Sequence, residues 1–495
     1  MATISATGAA LVWFRRDLRL ADNAALSAAL RTGRPLILLF IDQRDRALGS
    51  APGEAADWWL QASLTALDGD ITARGGRLDL LRGDPAEMIP ALARDHDLAE
   101  VFWNRSGEPA IDERDRSIAE TLQRSGVEPH AFAGTALIDP ARLLTGSGTP
   151  YKVFSAFWRA ALRQLEPNPA LPAPLRLATG PAIPDATPLA TLGLDPANPD
   201  WASGFRTEWQ PGEAGAAARL EIFLDAALND YPEGRDRPDR SGTSRLSPHL
   251  GSGEISPRQV WHAVQQRLAD GANYQPAEKF LAEIGWREFA YYLLHHFTDL
   301  RTANFNRTFD GFPWRQDSAG FKAWTRGQTG IPLVDAGMRQ LWTTGWMHNR
   351  VRMVCASFLV KHLRCDWREG MAWFEHTLVD ADRAVNAASW QWVAGSGADA
   401  APYFRIFNPV RQGERFDPEG DYVRQWLPEL AGLPKRWIHA PWSAPVPVRQ
   451  DAGLILGRTY PHPLCDLAAG RDAALDAYRS LKRDPGEAGQ ASVQG

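Results

Sequence analysis

The chain has 495 residues, of which 44% are hydrophobic and 23% are charged, with a formal net charge of −5 at pH 7. This length exceeds the size at which one hydrophobic core usually stops growing, so two domains are expected. An apolar run of about 18 residues that could span a bilayer is absent from the sequence, and no basic region of a signal peptide precedes the first apolar stretch. A soluble cytoplasmic protein is therefore expected.

Charge and cysteine content restrict the classes of partner. Residues 1–150 carry a net charge of −5, whereas acidic and basic residues are equal in number in the rest of the chain. A local basic surface that binds nucleic acid is therefore still possible in the second part. Three scattered cysteines, with no CxxC pair or neighbouring histidines, predict neither a disulfide framework nor a metal site. Cys355, Cys365 and Cys465 are expected to be small buried hydrophobes.

The first 140 residues alternate short β-rich runs with segments of helical length. The runs are ALVWF at 10–14, PLILLFID at 35–42, RLDLLRG at 77–83, AEVFWN at 99–104 and PHAFAG at 129–134. Strands separated by helices predict a parallel, Rossmann-like α/β sheet with right-handed crossovers. Residues 1–140 are therefore expected to form an α/β N-terminal domain.

The rest of the chain divides into three predicted segments. Residues 141–205 are rich in proline and poorly periodic from about 165 onward, which predicts an interdomain linker over the surface. Three-to-four spacing of apolar residues over 206–483 predicts a large all-helical C-terminal domain. The end, 484–495, is poor in apolar residues and is expected to be disordered.

A phosphate-binding turn is predicted at GTSRLSPHL, residues 242–250. Thr243, Ser244 and Ser247 precede Pro248, a favourable first helical residue, so hydroxyls and free backbone N–H groups converge at a helix start. An ordinary helix cap has the same residues, and the cluster alone does not decide between the two. The GSG at 251–253 is not a dinucleotide fingerprint.

Further along, polar and aromatic residues recur at suggestive spacings. Asp380 and Asp382 precede Asn386, and a helix N-terminal charge pair would look the same. Glu283, Trp286 and Arg287 are spaced i, i+3 and i+4, which places them on one face of a helix. From Trp342 to Pro409, tryptophans, arginines, amides and carboxylates are denser than core packing needs. Such a mixture indicates an aromatic chromophore beside a surface that binds phosphate.

Several long motifs together resemble the photolyase/cryptochrome flavoproteins along nearly the whole chain. They are LVWFRRDLRLADN at 11–23, GTSRLSPHL at 242–250, FLAEIGWREF at 280–289 and WMHNRVRM at 346–353. Within that family the chain looks most like the bacterial class I photolyases that split cyclobutane pyrimidine dimers. The resemblance implies an antenna-binding α/β domain, a helical FAD-binding domain, and light-driven repair of UV-damaged DNA by a monomer.

The resemblance also implies the residues of the FAD site. The diphosphate would be held by the TSRLS run, with Tyr231 and Phe280 lining the flavin pocket. Asp380 would pair with Arg352 beside the isoalloxazine, Asp382 would contact the cofactor, and Asn386 would face flavin N5. An amide at that position is compatible with holding FAD reduced, and it favours repair over signalling. The full expected set is Tyr231, Thr243, Ser244, Arg245, Leu246, Ser247, Phe280, Arg352, Asp380, Ala381, Asp382 and Asn386.

An electron path and a lesion pocket are implied in the same way. Trp390, Trp367 and Trp314 match the family's tryptophan chain from flavin to surface, although a tryptophan-rich core would look similar. Trp286 and Trp392 would pack against a flipped-out dimer, since base–aromatic stacking is worth about 1–3 kcal/mol per base. Glu283 would hydrogen-bond the pyrimidine and, when protonated, stabilise the dimer radical anion. The remaining expected DNA contacts are Arg235, Arg287, Asn349, Arg350, Met353 and Gln412.

The choice of substrate and antenna rests on single positions. Relatives that repair the six-four photoproduct use histidine in the lesion pocket for acid–base catalysis. In this part of the chain, WMHNRVRM contains only His348, so the cyclobutane dimer is the expected substrate. Folate-using relatives carry an Asn-Glu pair where this chain has Ala110-Ile111, and a Cys-Lys pair where it has Arg301-Thr302. The identity of the antenna chromophore stays open: it could be deazaflavin or methenyltetrahydrofolate in another pose, or the protein could have none. The alternatives to cyclobutane-dimer repair are a blue-light photoreceptor, a (6-4) photolyase or, if the protein is colourless, a light-independent DNA-binding module.

Overall fold

The computed structural model describes residues 8–43, 53–134, 136–165, 167–196, 198–400 and 404–481. The chain forms two compact units. The first unit consists of Met1–Tyr231, Thr243–Thr298 and Leu378–Asp382, and the second consists of Pro232–Gly242, Asp299–Thr377 and Arg383–Gly495. The predicted tail at 484–495 lies outside the described residues, and the predicted boundaries at 140 and 205 stay predictions.

A five-stranded parallel sheet lies in the first unit, with the strand order β3-β2-β1-β4-β5. Its strands are β1 Ala9–Phe14, β2 Leu36–Asp42, β3 Leu78–Arg82, β4 Leu98–Asn104 and β5 Glu128–Phe132. Each overlaps one of the five β-rich runs of the sequence. The prediction of a parallel α/β sheet is therefore confirmed.

The central strands are buried on both faces, which explains why they are almost continuously apolar. All six residues of β1 are buried. Because successive side chains of a strand point to opposite faces, Val12 and Phe14 pack into one hydrophobic cluster while Leu11 and Trp13 pack into another. Two covered faces are typical of parallel sheets with helical crossovers.

Four helices follow the first four strands, and two of them begin with a polar side-chain cap. The four are α1 Ala24–Arg31, α2 Glu54–Thr72, α3 Pro85–Asp95 and α4 Pro109–Arg124. Asn23 caps α1 by accepting a hydrogen bond from the Leu26 amide at 3.0 Å, and Asp84 caps α3 by accepting from Ala86 at 2.8 Å. These caps satisfy backbone donors that the first helical turn leaves without partners.

From residue 141 onward the regular structure of the described residues is helical, apart from two isolated bridges, one from Thr179 to Leu36 and one between Leu456 and Tyr460. The α-helices are α5 Phe154–Leu162, α6 Ser203–Glu208, α7 Glu213–Ala226, α8 Tyr231–Gly234, α9 Ser247–Ser252, α10 Pro257–Ala269, α11 Tyr274–His296, α12 Ser318–Thr325, α13 Pro332–Thr344, α14 Asn349–Ser357, α15 Trp367–Thr377, α16 Arg383–Ala394, α17 Pro409–Phe416, α18 Asp421–Trp426, α19 Lys435–Ile438, α20 Val446–Asp451 and α21 Leu467–Ser480. A π-helix spans Phe358–Leu363, and 3₁₀ turns span Leu189–Thr191, Arg307–Gly311, Pro428–Leu430 and Pro441–Ser443. The predicted helical C-terminal part is confirmed, and α5 lies within the segment predicted as a linker.

Three further observations bear on the expectations from composition. None of the described helices is long and apolar enough to cross a membrane. The three cysteines are free thiols; Cys355 and Cys365 are buried as expected, whereas Cys465 is only half-buried. One group of possible metal ligands, Glu100, Glu128 and His130, lies on β4 and β5, where Arg34 donates to Glu100 at 3.0 Å.

Candidate functional site

The sheet of the first unit reverses its strand order between β1 and β4. In open parallel sheets, ligands bind outside the carboxyl ends of the strands at such a reversal. Arg16 follows β1 by two residues and donates from Nη2 to Asp382 Oδ2 at 3.0 Å and from Nη1 to Glu108 at 3.3 Å. The Tyr291 hydroxyl donates to the same Asp382 oxygen at 2.5 Å. These bonds fix the orientation of the carboxylate that was predicted to contact FAD.

Arg245 anchors the predicted phosphate-binding turn. Its φ of +54° is in the left-handed region, which is unfavourable for a side chain with a Cβ. Its guanidinium forms a salt bridge with Glu208 and lies 4.7 Å from the ring centroid of Trp209. Desolvation by burial lowers the pKa of Arg245. Because the side chain is held by α6 and the residue after it, the turn keeps a backbone conformation that it would otherwise avoid.

None of the three hydroxyl-bearing residues of that turn is fully buried. Thr243 and Ser244 are half-buried and Ser247 is exposed. The Leu246 amide donates to Ser244 Oγ at 3.4 Å, and the Leu246 side chain is buried in a hydrophobic cluster. Ser247 begins α9, so the turn has the form predicted from the sequence. Whether it holds a diphosphate remains a prediction.

A buried polar network fixes α9 behind the turn, and the sequence did not reveal it. His249 Nδ1 and a carboxylate oxygen of Glu254 form a fully buried hydrogen bond. Glu254 also accepts hydrogen bonds from Trp59 Nε1 at 3.1 Å and from the Ser63 hydroxyl, both on α2. Buried carboxylates need such partners because an unpaired one would be costly. The network therefore connects the predicted phosphate turn to a helix of the α/β part of the same unit.

Tyr231 and Phe280 lie together in the core of the first unit, as part of an aromatic group with Phe223. The Tyr231 and Phe280 ring centroids are 5.4 Å apart in an edge-on arrangement. Phe223 lies 4.4 Å from Phe280 and 5.6 Å from Tyr231. Both predicted residues are more than nine-tenths buried. The predicted pair is thus brought together, and its contact with flavin stays a prediction.

Helix α11 presents Glu283, Trp286 and Arg287, and all three are half-buried. The Trp286 ring stacks on Phe154 with the centroids 3.8 Å apart and the planes 10° apart. Arg287 lies over the Tyr291 ring at 4.7 Å and pairs with Glu288 at 3.1 Å. The prediction that these residues share a helix face agrees with this arrangement.

Glu288 is a structural residue of α11 that the motif analysis did not single out. It is buried and accepts hydrogen bonds from the backbone amides of Leu137 at 2.8 Å and Ile138 at 3.1 Å. Burial raises the pKa of its carboxyl group, while Arg287 and the two amides oppose that shift. Since these contacts join α11 to the segment after β5, they hold the helix that carries Trp286.

In the second unit, α14 carries three of the predicted DNA contacts. Asn349 is exposed, and its amide lies 3.9 Å from the Met353 sulfur. Arg350 donates to Asp236 at 2.7 and 3.2 Å and lies 4.5 Å above the Phe416 ring. Arg350 is thereby held in place rather than free to swing through solvent. Arg235 and Gln412, also predicted contacts, are half-buried in this unit.

His348 caps α14 and is almost fully buried. Its Nδ1 accepts a hydrogen bond from the Arg350 amide at 3.2 Å. Burial lowers the pKa of His348 to about 4. Nε2 has no hydrogen-bond partner among the described residues. The imidazole is therefore neutral at physiological pH, and it does not supply a proton there.

The predicted flavin residues of the second unit are held by backbone contacts. Asn386, on α16, donates from Nδ2 to the Met371 carbonyl at 3.0 Å. Arg352 donates from Nε to the Met347 carbonyl at 2.7 Å. In the first unit, the Ala381 amide donates to Leu378 at 3.3 Å. The Arg352–Asp380 pair and the contacts of Asn386 and Ala381 with flavin remain predictions.

Trp392 and the tryptophans of the predicted electron path lie in the second unit. Trp392 is half-buried and donates to the Asp399 carbonyl at 3.1 Å. Trp390 and Trp367 are buried, whereas Trp314 is half-buried, so the last tryptophan of the predicted order is the most exposed of the three. Trp367 donates to Asn304 at 3.0 Å. The electron path itself stays a prediction.

Trp324 is a further neighbour of Trp390 that the motifs did not identify. Their ring centroids are 6.2 Å apart, and Trp324 is fully buried with its Nε1 donating to the Cys355 carbonyl at 3.0 Å. Trp390 also packs edge-on against Phe374 at 5.0 Å. The spacing of tryptophans in the sequence gave no signal for this contact, because α12 and α16 are far apart in the chain.

The chemistry of these side chains fits FAD. Hydroxyls and backbone N–H groups at a helix start suit a diphosphate. A fixed carboxylate such as Asp382 suits the hydroxyl and N–H donors of a flavin, while aromatic surfaces suit its rings. In the second unit, Asn386 offers an amide and Arg352 a positive charge, each in a half-buried position.

Comparisons with known proteins show which family models and relatives the chain matches. The family model described as the FAD binding domain of DNA photolyase matches residues 280–480, and the one described as DNA photolyase matches residues 10–175. A deoxyribodipyrimidine photo-lyase of Agrobacterium fabrum is 49% identical over 96% of this chain and 99% of its own. Cryptochrome-1 of Arabidopsis thaliana is 38% identical over 96% of this chain and 70% of its own.

A solved structure corrects the expected subclass. A bacterial class III photolyase from Agrobacterium tumefaciens superposes with a TM-score of 0.93 at 48% identity, covering 98% of this chain and 100% of that protein. The sequence motifs had suggested likeness to class I enzymes. That part of the prediction was wrong, since the enzyme that superposes at 48% identity is a class III photolyase.

Proposed function

The chain belongs to the photolyase/cryptochrome family, and from this premise we propose that it uses light to split cyclobutane pyrimidine dimers in DNA. When bound in reduced form, FAD would supply the chemistry, namely light absorption and one-electron donation to the dimer. The protein's own task is to bind DNA, receive the flipped-out dimer and exclude water. Taking a damaged pair out of the stack costs less than flipping intact bases, which favours the lesion.

The observation that carries the proposal is the arrangement of α11. Trp286 is held flat by Phe154 at 3.8 Å yet remains half-exposed, so a rigid aromatic face is offered to a ligand. Glu283 lies one helical turn before it on the same face. An aromatic wall beside a hydrogen-bonding carboxyl group suits a pyrimidine, whose flat ring carries N–H and carbonyl groups on its edge. The role of each side chain in the pocket is part of the proposal.

Two observations favour the cyclobutane dimer over the six-four photoproduct. Repair of the six-four photoproduct is expected to need a proton from a histidine, whereas splitting a cyclobutane ring needs an electron to be lent and returned. Because the pKa of His348 is lowered to about 4, it is neutral and its Nδ1 is occupied by the Arg350 amide. The neighbouring positions, Asn349 and Met353, do not titrate in the physiological range.

A blue-light photoreceptor is the second candidate. The 38% identity to Arabidopsis cryptochrome-1 over most of this chain favours it. The amide of Asn386, which cannot give a proton to flavin as a carboxylic acid could, and the residues matching the lesion pocket favour repair. Those residues would have no evident task in a protein that only signals.

Assays of both lesions under light would separate these functions. Oligothymidylate carrying cyclobutane dimers and an oligonucleotide carrying a six-four photoproduct are each incubated anaerobically with reduced protein, then illuminated or kept dark. Light-dependent return of thymine absorbance with the first substrate alone is the expected result. Repair of the second substrate alone would identify a (6-4) photolyase, and repair of neither by a yellow preparation would favour a photoreceptor. A colourless preparation that still binds DNA would point to a light-independent DNA-binding module.

A further inference from the structure

A cavity of about 820 Å³ lies within the second unit, beside Arg350 and Gln412. Its size is within the roughly 300–1,000 Å³ typical of ligand sites. Four arginines and one acidic residue line it: Arg350, Arg405, Arg415, Arg471 and Asp236. A cluster of guanidinium groups is notable because the protein as a whole has a net charge of −5. The cavity is therefore suited to an anion.

Two of these guanidinium groups are held in position by one aromatic ring. Arg350 lies 4.5 Å and Arg415 lies 5.0 Å from the centroid of Phe416. Asp236 additionally binds Arg350 at 2.7 Å. Cationic groups that are already ordered lose less entropy when an anion binds than flexible ones do.

Aromatic and amide groups of the cavity suit a nucleobase. Tyr478 stacks on Phe404 with the centroids 4.5 Å apart and the planes 4° apart, and both residues line the cavity. Tyr478 is half-buried. Gln412 Oε1 is buried and has no hydrogen-bond partner among the described residues. A buried carbonyl oxygen with no hydrogen-bond partner is stabilised by a donor, such as the amino or imino group of a base.

We propose that this cavity binds the DNA strand beyond the lesion, with phosphates on Arg415 and Arg471 and a flanking base beside Tyr478 and Gln412. Basic side chains interleaved with aromatic faces are typical of single-stranded nucleic-acid sites. The proposal rests on the proposed function, since it extends the DNA path from the predicted contacts Arg350 and Gln412 towards α21. Phosphate contacts there would position the strand without reading its sequence.

Arg471→Ala and Arg415→Ala, singly and together, test the assignment. The matched control is Arg479→Ala: Arg479 is exposed on the same helix, pairs with Asp476 at 2.8 Å and does not line the cavity, whereas Arg471 pairs with Asp472 at 2.9 Å. Binding of undamaged single-stranded oligothymidylate is measured as a function of salt. Loss of two phosphate contacts should reduce the slope of log K against log salt by roughly 1.4. Arg471→Lys should keep most of the slope, and Arg479→Ala should leave it unchanged.

Repair of a dimer-containing dinucleotide is measured in parallel with repair of a dimer-containing oligonucleotide. The double variant should raise KM for the oligonucleotide and leave KM and kcat for the dinucleotide unchanged, because the dinucleotide has no flanking strand. An unchanged salt slope, or an equal loss on both substrates, would overturn the proposal. If the wild type binds oligothymidylate through these arginines but splits no dimer, the strand site stands and the proposed repair function fails.

Discussion

Arg16 and Asp382 are 366 positions apart in the chain and form an ion pair of 3.0 Å inside the first unit. Asp382 is more than nine-tenths buried, and Tyr291 donates to the same oxygen at 2.5 Å. A residue two positions after the first strand of the sheet thereby orients a carboxylate in the short segment that precedes α16. We interpret Arg16 and Tyr291 as positioning residues for FAD binding, because they act through Asp382.

Replacing Arg16 should weaken FAD binding. Arg16→Gln removes the Arg16 cation from the Asp382 carboxylate, so the carboxylate is less well ordered for a ligand. Because Arg16 is about one-third exposed (32%), solvent moderates the loss, and we expect about a tenfold higher Kd, which is about 1.4 kcal/mol. Reconstitution of apoprotein with FAD, followed by flavin fluorescence, measures this.

Arg34→Gln is the control for that measurement. Arg34 pairs with Glu100 at 3.0 Å, the same length, elsewhere on the sheet of the first unit. It should leave FAD affinity unchanged. Equal FAD affinities for Arg16→Gln and Arg34→Gln would mean that the Arg16–Asp382 pair contributes to folding alone.

Trp367→Phe should slow photoreduction of oxidised FAD. The predicted electron path passes from Trp390 through Trp367 to the more exposed Trp314, and phenylalanine is much harder to oxidise than tryptophan. We expect at least about a tenfold lower rate, equivalent to about 1.4 kcal/mol in the barrier. Flavin absorbance under continuous illumination with an external reductant measures the rate.

Trp324→Phe provides the matched comparison for that variant. Trp324 also lies near Trp390, at 6.2 Å, but it is fully buried and so cannot pass its oxidation to water. Its replacement should change the rate less than about twofold, well under 1 kcal/mol in the barrier. The account of the path fails if the two variants slow photoreduction equally.

Trp286→Ala should reduce affinity for dimer-containing DNA. Loss of one stacking face costs about 1–3 kcal/mol, which is roughly a 5- to 150-fold increase in Kd. Undamaged DNA should bind with nearly unchanged affinity, since its bases are not flipped. Trp286→Phe keeps an aromatic surface against Phe154 and should retain most of the affinity. Titration of labelled oligonucleotides in the dark measures both, and an equal loss for damaged and undamaged DNA would argue against a lesion contact.

Acidification should destabilise the fold through His348. Its pKa is lowered by burial from 6.5 to about 4, so the unfolded chain binds a proton between those values that the folded chain does not. The stability it contributes is present above pH 6.5 and is lost as the pH falls towards 4. From pH 7 to pH 5, the free energy of unfolding should fall by about 2 kcal/mol through this group. The groups around it are Asp236, which raises the pKa, and Arg235, Arg350 and Arg352, which lower it.

His348→Asn isolates this contribution. Asparagine is a good helix cap, so it can accept the Arg350 amide in place of the histidine. His362, whose pKa is also lowered to about 4, is still present in the variant and keeps its own share of the pH dependence. Urea unfolding at pH 7 and pH 5 should show that the free energy of unfolding falls less for the variant than for the wild type. Identical losses would mean that His348 is not the titrating group.

The sequence predicted the regular elements well because their signals are local. The run LILLF is apolar since β2 is covered on both faces, and the TSRLS turn is followed by a proline at a helix start. The contacts that position the candidate site are not local. The Glu254–Trp59 bond joins residues 195 apart, the stacking of Trp286 on Phe154 joins two helices, and Arg245 takes a left-handed backbone conformation that the residue type disfavours. Hydrophobic periodicity carries no information about such pairings.

In the proposed reaction the electron lent to the dimer would return to FAD, so repair would cause no net oxidation of the flavin. The decisive measurement counts dimers split per flavin in an anaerobic sample that is reduced once, freed of reductant and then illuminated with excess dimer-containing oligothymidylate, while flavin absorbance is followed. Many dimers should be split per flavin, with the spectrum of reduced FAD unchanged at the end. Repair that stops near one dimer per flavin as the flavin becomes oxidised would contradict the proposed electron return.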